Sequence, residues 1–387
     1  MRTAHEERGE PGPGPRRRGV VRALAAGGVL AAGAATVPFR PAATPARASE
    51  VPPGARPLRA RWRTRNPLPV ARAEVAVAAL GGRVYVVGGT TQRDGEAPVW
   101  ATTTVHAYDP RRDRWTERAP LPRPLTHVGV AALDGRLYAF GGFTTAVHLN
   151  PQPDAYVYDP RRDRWHRLPD MPEALGSVGV AAVGGRLHLL GGRDSRRVVT
   201  PPGSPVSLGM GTVRSHHVYD PRRRTYAPAP PLPGDARDHA GVAVLGGRVH
   251  VVGGRVEDIV DNLTRHDVYD AARRTWSRAA PLPVARSAGA AVVLDGRLVY
   301  AGGECRPGAD DGTGEGGGGG TGAGGGTYGD VTVYDPRAGR WDTVAGLPGS
   351  RHGFGAAALD GRAYFTAGSP DCGGGASTGT LQLALHR

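Results

Sequence analysis

The eight residues YDPRRDRW stand at 108–115 and again, unchanged, at 158–165. A catalytic motif is rarely written twice, whereas a building block that recurs around an axis has to be. The step of seven from a tyrosine to a second aromatic occurs five times: Tyr108 to Trp115, Tyr158 to Trp165, Tyr219 to Tyr226, Tyr269 to Trp276 and Tyr334 to Trp341. Before each stands an apolar run closed by a glycine pair, ending at Gly89, Gly142, Gly192, Gly254 and Gly303; a sixth version, AYFTAGS, ends at Ser369. Ahead of every run comes Gly-Gly-Arg or Asp-Gly-Arg, dipeptides suited to tight hairpin turns whose central residues need positive φ. Each unit of about 50 residues therefore reads as four short antiparallel strands.

In that frame YDPRRDRW is itself a hairpin. A two-residue turn at Arg111-Arg112 sets Tyr108 opposite Trp115 on one face and Asp109 opposite Arg114 on the other. Such cross-strand pairs add about 0.2–1 kcal/mol each. The rings fill the space between neighbouring sheets, a task that every sheet needs once.

Glycine pair, spaced tyrosine and following tryptophan, repeated in six units over residues 58–387, resemble kelch repeats. The resemblance implies an all-β fold, a six-bladed kelch β-propeller around a central channel. The last unit lacks its Tyr-to-Trp hairpin, but LRARW, with Trp62, and NPLPVAR stand at the other end of the chain. The N-terminal strand is thus expected to complete the last blade and close the ring. Blades are expected at 73–122, 126–172, 176–233, 238–283, 287–348, and 352–387 joined with 58–66.

Residues 1–48 read as an export signal: Arg16–Arg18, an apolar run from Ala23 to Val37, then the small-x-small site Ala46-Arg47-Ala48. Arg17-Arg18-Gly19-Val20-Val21-Arg22 resembles the twin-arginine signal; an ordinary secretory signal is the alternative. The apolar run is too short to span a bilayer stably. The mature chain, after a linker at 49–57, is expected to be secreted, monomeric and without a membrane span. The net charge is +14 and lysine is absent, so every basic side chain apart from histidine is an arginine. That monopoly fits a codon bias better than a nucleic-acid surface, and no nucleic-acid partner is expected. The tract at 308–329 is mostly glycine, cannot bury a core, and is expected to be disordered within its loop.

Long variable connections follow the second strand of each unit, and such loops on a rigid scaffold commonly carry function. Residues leading into the first strand should ring the channel mouth. In one register stand Arg72, Leu125, Leu175, Arg237, Arg286 and Arg351; two residues on come Glu74, His127, Ser177, His239, Ala288 and Gly353. Arg72, Arg237, Arg286 and Arg351, with His127, Ser177 and His239, are the expected ligand-binding set, suited to a carboxylate or phosphate. The alternative makes the arginines structural, paired with loop carboxylates such as Asp235 or Glu173.

His127, His239 and His352 are weak candidates for a metal, and no cofactor is expected. Cys305 and Cys372, on loops of neighbouring blades in an exported chain, are expected to form a disulfide. The expected function is a non-catalytic binding protein for an extracellular saccharide or protein. The alternative is a carbohydrate-active enzyme. One form is a sugar mutarotase or epimerase using Glu74 or His239 with Arg237 or Arg72. The other, less favoured, resembles the copper oxidase galactose oxidase, whose required cysteine crosslink the disulfide would deny.

Overall fold

The computed structural model describes residues 57–386, apart from 94–95, 146–147, 201–206, 260 and 307–325. The export signal lies outside the described residues, as do most of the linker and most of the glycine tract. Six four-stranded antiparallel sheets make up the ring. In the first, Ala76–Leu80, Arg83–Val87, Val105–Asp109 and Arg114–Arg118 run from the axis outward. In the last, Gly355–Leu359, Arg362–Thr366 and Thr380–His386 are joined at the outside by Arg59–Thr64, so the N-terminal strand does close the ring. Two connections between second and third strands form hairpins of their own, Thr90–Arg93 with Glu96–Ala101 and Arg193–Val199 with Leu208–Thr212.

Tyr108 pairs with Trp115 and Asp109 with Arg114, as the repeat implies. The turn between them is longer than expected: four residues, 110–113, with Asp113 left-handed at φ 49°. Nor does Asp109 serve Arg114. Its carboxylate accepts the Arg111 amide at 3.0 Å and the Arg112 guanidinium at 2.9 Å, capping the turn that it begins. A carboxylate two residues before unpaired amides offers a stronger, local set of donors than a side chain across the ladder.

The apolar core is not one mass but a wedge between each pair of blades. Tyr85, Val87 and Leu125 pack with Tyr158 and Trp165 between blades one and two, and comparable clusters fill the other gaps. Each wedge is tied by an aromatic side chain that donates to a carbonyl of the preceding blade. Trp115 reaches Asn66 O, Trp165 Ala119 O and Tyr226 Pro169 O, each at 2.9 Å. Trp276 reaches Pro230 O at 2.9 Å and Trp341 Ala280 O at 2.8 Å. The duplicated motif thus holds neighbouring blades together.

The glycine pairs make a second tie. The second glycine donates to a carbonyl in the lead-in to the next blade: Gly89 to Leu125 O, Gly142 to Leu175 O, Gly192 to Arg237 O, and onward to Gly368 on Arg72 O, all between 2.8 and 3.1 Å. A Cβ on Gly141, the first of its pair, would lie 2.1 Å from Leu175 O, so only glycine allows this approach.

Candidate functional site at the channel mouth

Glu74, His127, Ser177, His239, Ala288 and Gly353 do form a ring about the axis. All six are left-handed, with φ between 49° and 60°. For a residue other than glycine this costs roughly 1–2 kcal/mol. Backbone bonds from blade to blade repay it: His127 donates to Glu74 O at 3.1 Å, Ser177 to His127 O at 3.0 Å, Ala288 to His239 O at 2.9 Å and Gly353 to Ala288 O at 3.0 Å. The ring encloses a cavity of about 140 Å³ lined by Glu74, His127, Ser177 and His239, among others.

The arginine register behaves differently. Arg72, Arg237 and Arg286 are buried inside their blades and do not line the mouth. Arg72 donates to Gly88 O at 3.0 Å and Thr104 O at 2.8 Å. Arg286 donates to Asp330 O at 2.9 Å and Thr332 Oγ1 at 2.8 Å. Arg237 pairs with Asp267 at 2.7 Å, not with Asp235. Arg351, half-buried, reaches Ala367 O at 3.3 Å. The register is real because its carbonyls accept the glycine-pair bonds. The side chains turn inward because the chain doubling back around each glycine pair leaves carbonyls that need donors. Arg72, Arg237 and Arg286 thus satisfy carbonyls, a hydroxyl and a carboxylate of their own blades, as the structural alternative has it, and are not placed at the mouth as expected.

The arginines beside the ring come instead from the position directly after the glycine pairs. Arg193, Arg255 and Glu304 follow the pairs ending at Gly192, Gly254 and Gly303 and are buried beside the ring. Arg193 is paired with Asp238, and Arg255 with Glu304 and, at 3.4 Å, Asp238. Glu74 lies 3.0 Å from His127 Nε2 and 3.3 Å from His352 Nε2, and His352 also faces Glu304 at 3.5 Å. The position after a glycine pair reads Thr90, Phe143, Arg193, Arg255, Glu304, Ser369 down the repeat. That alignment was available in the sequence and would have found them.

Electrostatics follow from this pairing. Burial works against the charge on Glu74, yet His127 and His352 hold its carboxyl well below the ordinary range. Burial likewise opposes Asp238, and His239, Arg193 and Arg255 outweigh it. For His352 burial favours the neutral ring, but Glu304 and Glu74 win and raise its pKa. Burial takes His239 down to about 4, Arg255 adding to the effect and Asp238 opposing it.

Of the expected metal candidates, His127 and His239 meet, with ring centroids 5.0 Å apart. His352 is engaged by the two glutamates. The third imidazole beside them is His148, from the loop that follows Phe143. Its place in a variable loop carries no repeat signal, which is why register alone missed it. Cys305 and Cys372 are bonded, with Cα atoms 5.0 Å apart, and link the loops of blades five and six.

The Kelch motif model matches residues 71–122 and 124–172. Kelch-like protein terF of Aspergillus terreus is 37% identical over 98 residues, 24% of this chain and 21% of terF. Beta-scruin of Limulus polyphemus is 35% identical over 92 residues, 24% of this chain and 10% of beta-scruin. Kelch-like protein 9 of Mus musculus is 35% identical over 88 residues, 23% of this chain and 14% of that protein. The matched stretch thus spans about a fifth or less of each of these relatives. The solved structure of YjhT shares the fold, with a TM-score of 0.63 at 16% identity, over 83% of this chain and 99% of YjhT. Blades one and two match the kelch motif directly, four further four-stranded sheets complete the ring, and an aromatic side chain ties each blade to the one before it, so the chain folds as a six-bladed β-propeller of kelch repeats.

Proposed function

We propose that this chain is an exported binding module that docks a protein partner on the face carrying its long loops. One observation carries the reading. Val70, Trp100, Val198, Val199 and Val284 are the exposed large apolar side chains among the described residues, 40–60% accessible. All five lie in connections from second to third strand or from one blade to the next, which share one face of the disc. Apolar and aromatic side chains gathered on one face of a rigid scaffold are what a protein interface offers. The axial cavity, about 140 Å³, is small beside the roughly 300–1,000 Å³ of a small-molecule pocket. Its arginines are already neutralised by Asp238 and Glu304. Both points favour a protein over a saccharide.

The test is to compare proteins captured by the mature wild-type chain with those captured by Trp100→Asp/Val198→Asp. A control variant, Arg222→Glu/Arg223→Glu, alters the opposite, hairpin face. The reading expects partners lost in the loop-face variant and kept in the control. A saccharide that raises the melting temperature while protein capture is unchanged overturns it. Export is checked by sequencing the N-terminus of protein from the culture medium, expected at Ser49.

A carbohydrate-active enzyme is the second reading, favoured by the Glu74–His127 pair at 3.0 Å in the mouth. Anomer exchange of a labelled sugar, accelerated by the wild type and not by Glu74→Gln, would support it.

A further inference from the structure

The geometry points to a divalent transition-metal site made by the Nε2 atoms of His127, His148 and His239, taking zinc or copper(II). Candidate ligand atoms of the three lie within 4.8 Å of one another. The ring centroids form a near-equilateral triangle with sides of 4.7, 5.0 and 5.1 Å. His127 Nε2 and His148 Nε2 are 3.2 Å apart. Two nitrogens about 2.0–2.1 Å from one tetrahedral ion sit roughly 3.3 Å from each other, so this pair needs almost no movement.

The outer nitrogen of His127 is held: its Nδ1 is hydrogen-bonded to Thr126 Oγ1 at 2.9 Å. The Nδ1 of His239 lies 3.0 Å from Asp238 Oδ1, close enough for charge attraction but not aligned as a hydrogen bond. A hydroxyl behind the ring, as on His127, is the kind of outer contact that orients metal-ligating histidines. Phe143 packs edge-on against both His127 and His148, at 5.5 and 5.3 Å, and limits how the rings can turn.

Histidine contacts elsewhere in the chain are of a different kind. His188 Nδ1 meets His216 Nε2 at 2.9 Å, and His250 Nδ1 meets His266 Nε2 at 2.8 Å. In each pair the second ring uses its own Nδ1 on a backbone carbonyl, Pro230 O or Ala280 O. Donor and acceptor are therefore matched, and an ion has nothing to add. At the mouth two Nε2 atoms face each other instead, with a third nearby.

Charge and access agree. Arg255 Nη2 is 3.2 Å from His239 Nε2, and a cation beside it needs compensation. Against Arg193 and Arg255, three carboxylates stand at the mouth: Glu74, Asp238 and Glu304. Glu74 Oε2, 3.0 Å from His127 Nε2, adjoins the open fourth position. The axial cavity of about 140 Å³, lined by Glu74, His127 and His239, provides the way in. The inference does not rest on the docking reading.

The experiment uses untagged full-length mature chain, stripped with chelator and titrated calorimetrically with zinc, copper(II) and calcium. Expected are close to one zinc or copper per chain, no calcium, and a metal-dependent rise in melting temperature. Cobalt(II) should give the visible absorption of a low-symmetry site. His148→Ala, a loop change that leaves the ring backbone intact, should weaken binding at least about tenfold, and His217→Ala should not. Equal metal-free melting temperatures of wild type and His148→Ala certify the comparison; if they differ, His148→Gln replaces it. Absence of zinc and copper binding, or binding unchanged in the His148 variant, overturns the site.

Discussion

The indole N–H of Trp62 donates to the carbonyl of Ala345 at 3.2 Å, across 283 residues of sequence. The bond is the sixth of the aromatic ties, made by the N-terminal strand toward blade five, and Trp62 also packs edge-on against Phe365 at 5.3 Å. Trp62→Phe keeps the ring and loses the bond, so it should cost about 1 kcal/mol. Trp62→Ala should cost about 3 kcal/mol. Urea denaturation of both variants checks the pair; a Trp62→Phe variant as stable as the wild type would mean that the bond contributes nothing.

Arg286 is the clearest case of an arginine that serves the fold. Arg286→Ala removes the side-chain donor to Gly302 O and Thr332 Oγ1 and leaves Asp330 O with the Gly302 amide alone, and should cost about 3 kcal/mol. Arg286→Leu should cost less, because Leu125 and Leu175 occupy the same register in blades two and three and are buried there. The prediction is a drop in denaturation midpoint for both, with partner capture unaffected in whatever fraction stays folded. Loss of capture at full stability would return Arg286 to the binding surface.

Most of the architecture was legible because it is written in repeats. Tyr108 and Trp115 announce a hairpin, the glycine pairs announce a close approach, and the unpaired Trp62 announces ring closure. The mouth was half legible. Register placed Glu74, His127, Ser177 and His239 on one ring, since backbone geometry decides that. It misplaced Arg72, Arg237 and Arg286, because a side chain as long as arginine can run inward from a position whose backbone faces the axis. His148 was hidden for the opposite reason: the loops at this place differ from blade to blade and carry no repeat signal. Arg193, Arg255 and Glu304 were readable in the position after each glycine pair.

Acid should destabilise the protein before carboxylates titrate. Burial is the first cause of depression for His106, His188, His216, His239, His250 and His266, each lowered to about 4 from an ordinary 6.5. The folded form then binds fewer protons than the unfolded form between pH 6.5 and 4, so stability falls as pH drops through that window. His352 works in reverse: its pKa is raised, so its contribution is present below 6.5 and fades as pH rises through the raised value. Burial lowers His148 as well, so one group against seven leaves a net loss in acid. Melting temperatures from pH 8 down to 4 should fall steeply below 6.5; a flat profile to pH 4.5 would contradict the burial argument.

The disulfide between Cys305 and Cys372 closes a separation of 67 residues, which by chain entropy stabilises by about 4 kcal/mol. Cys305→Ser/Cys372→Ser should lower the melting temperature by several degrees, and reductant should do the same to the wild type and nothing further to the variant. A variant that melts with the wild type would show that ring closure by the N-terminal strand already supplies this constraint.

The six left-handed residues around the axis are held in place by their main chain, not by what they carry. Glutamate, histidine, serine, alanine and glycine all occupy these seats in one molecule without disturbing the frame. Single exchanges there can rewrite the chemistry shown to the channel while the blades stay as they are. A lineage built on this frame could therefore change what its axis holds one seat at a time.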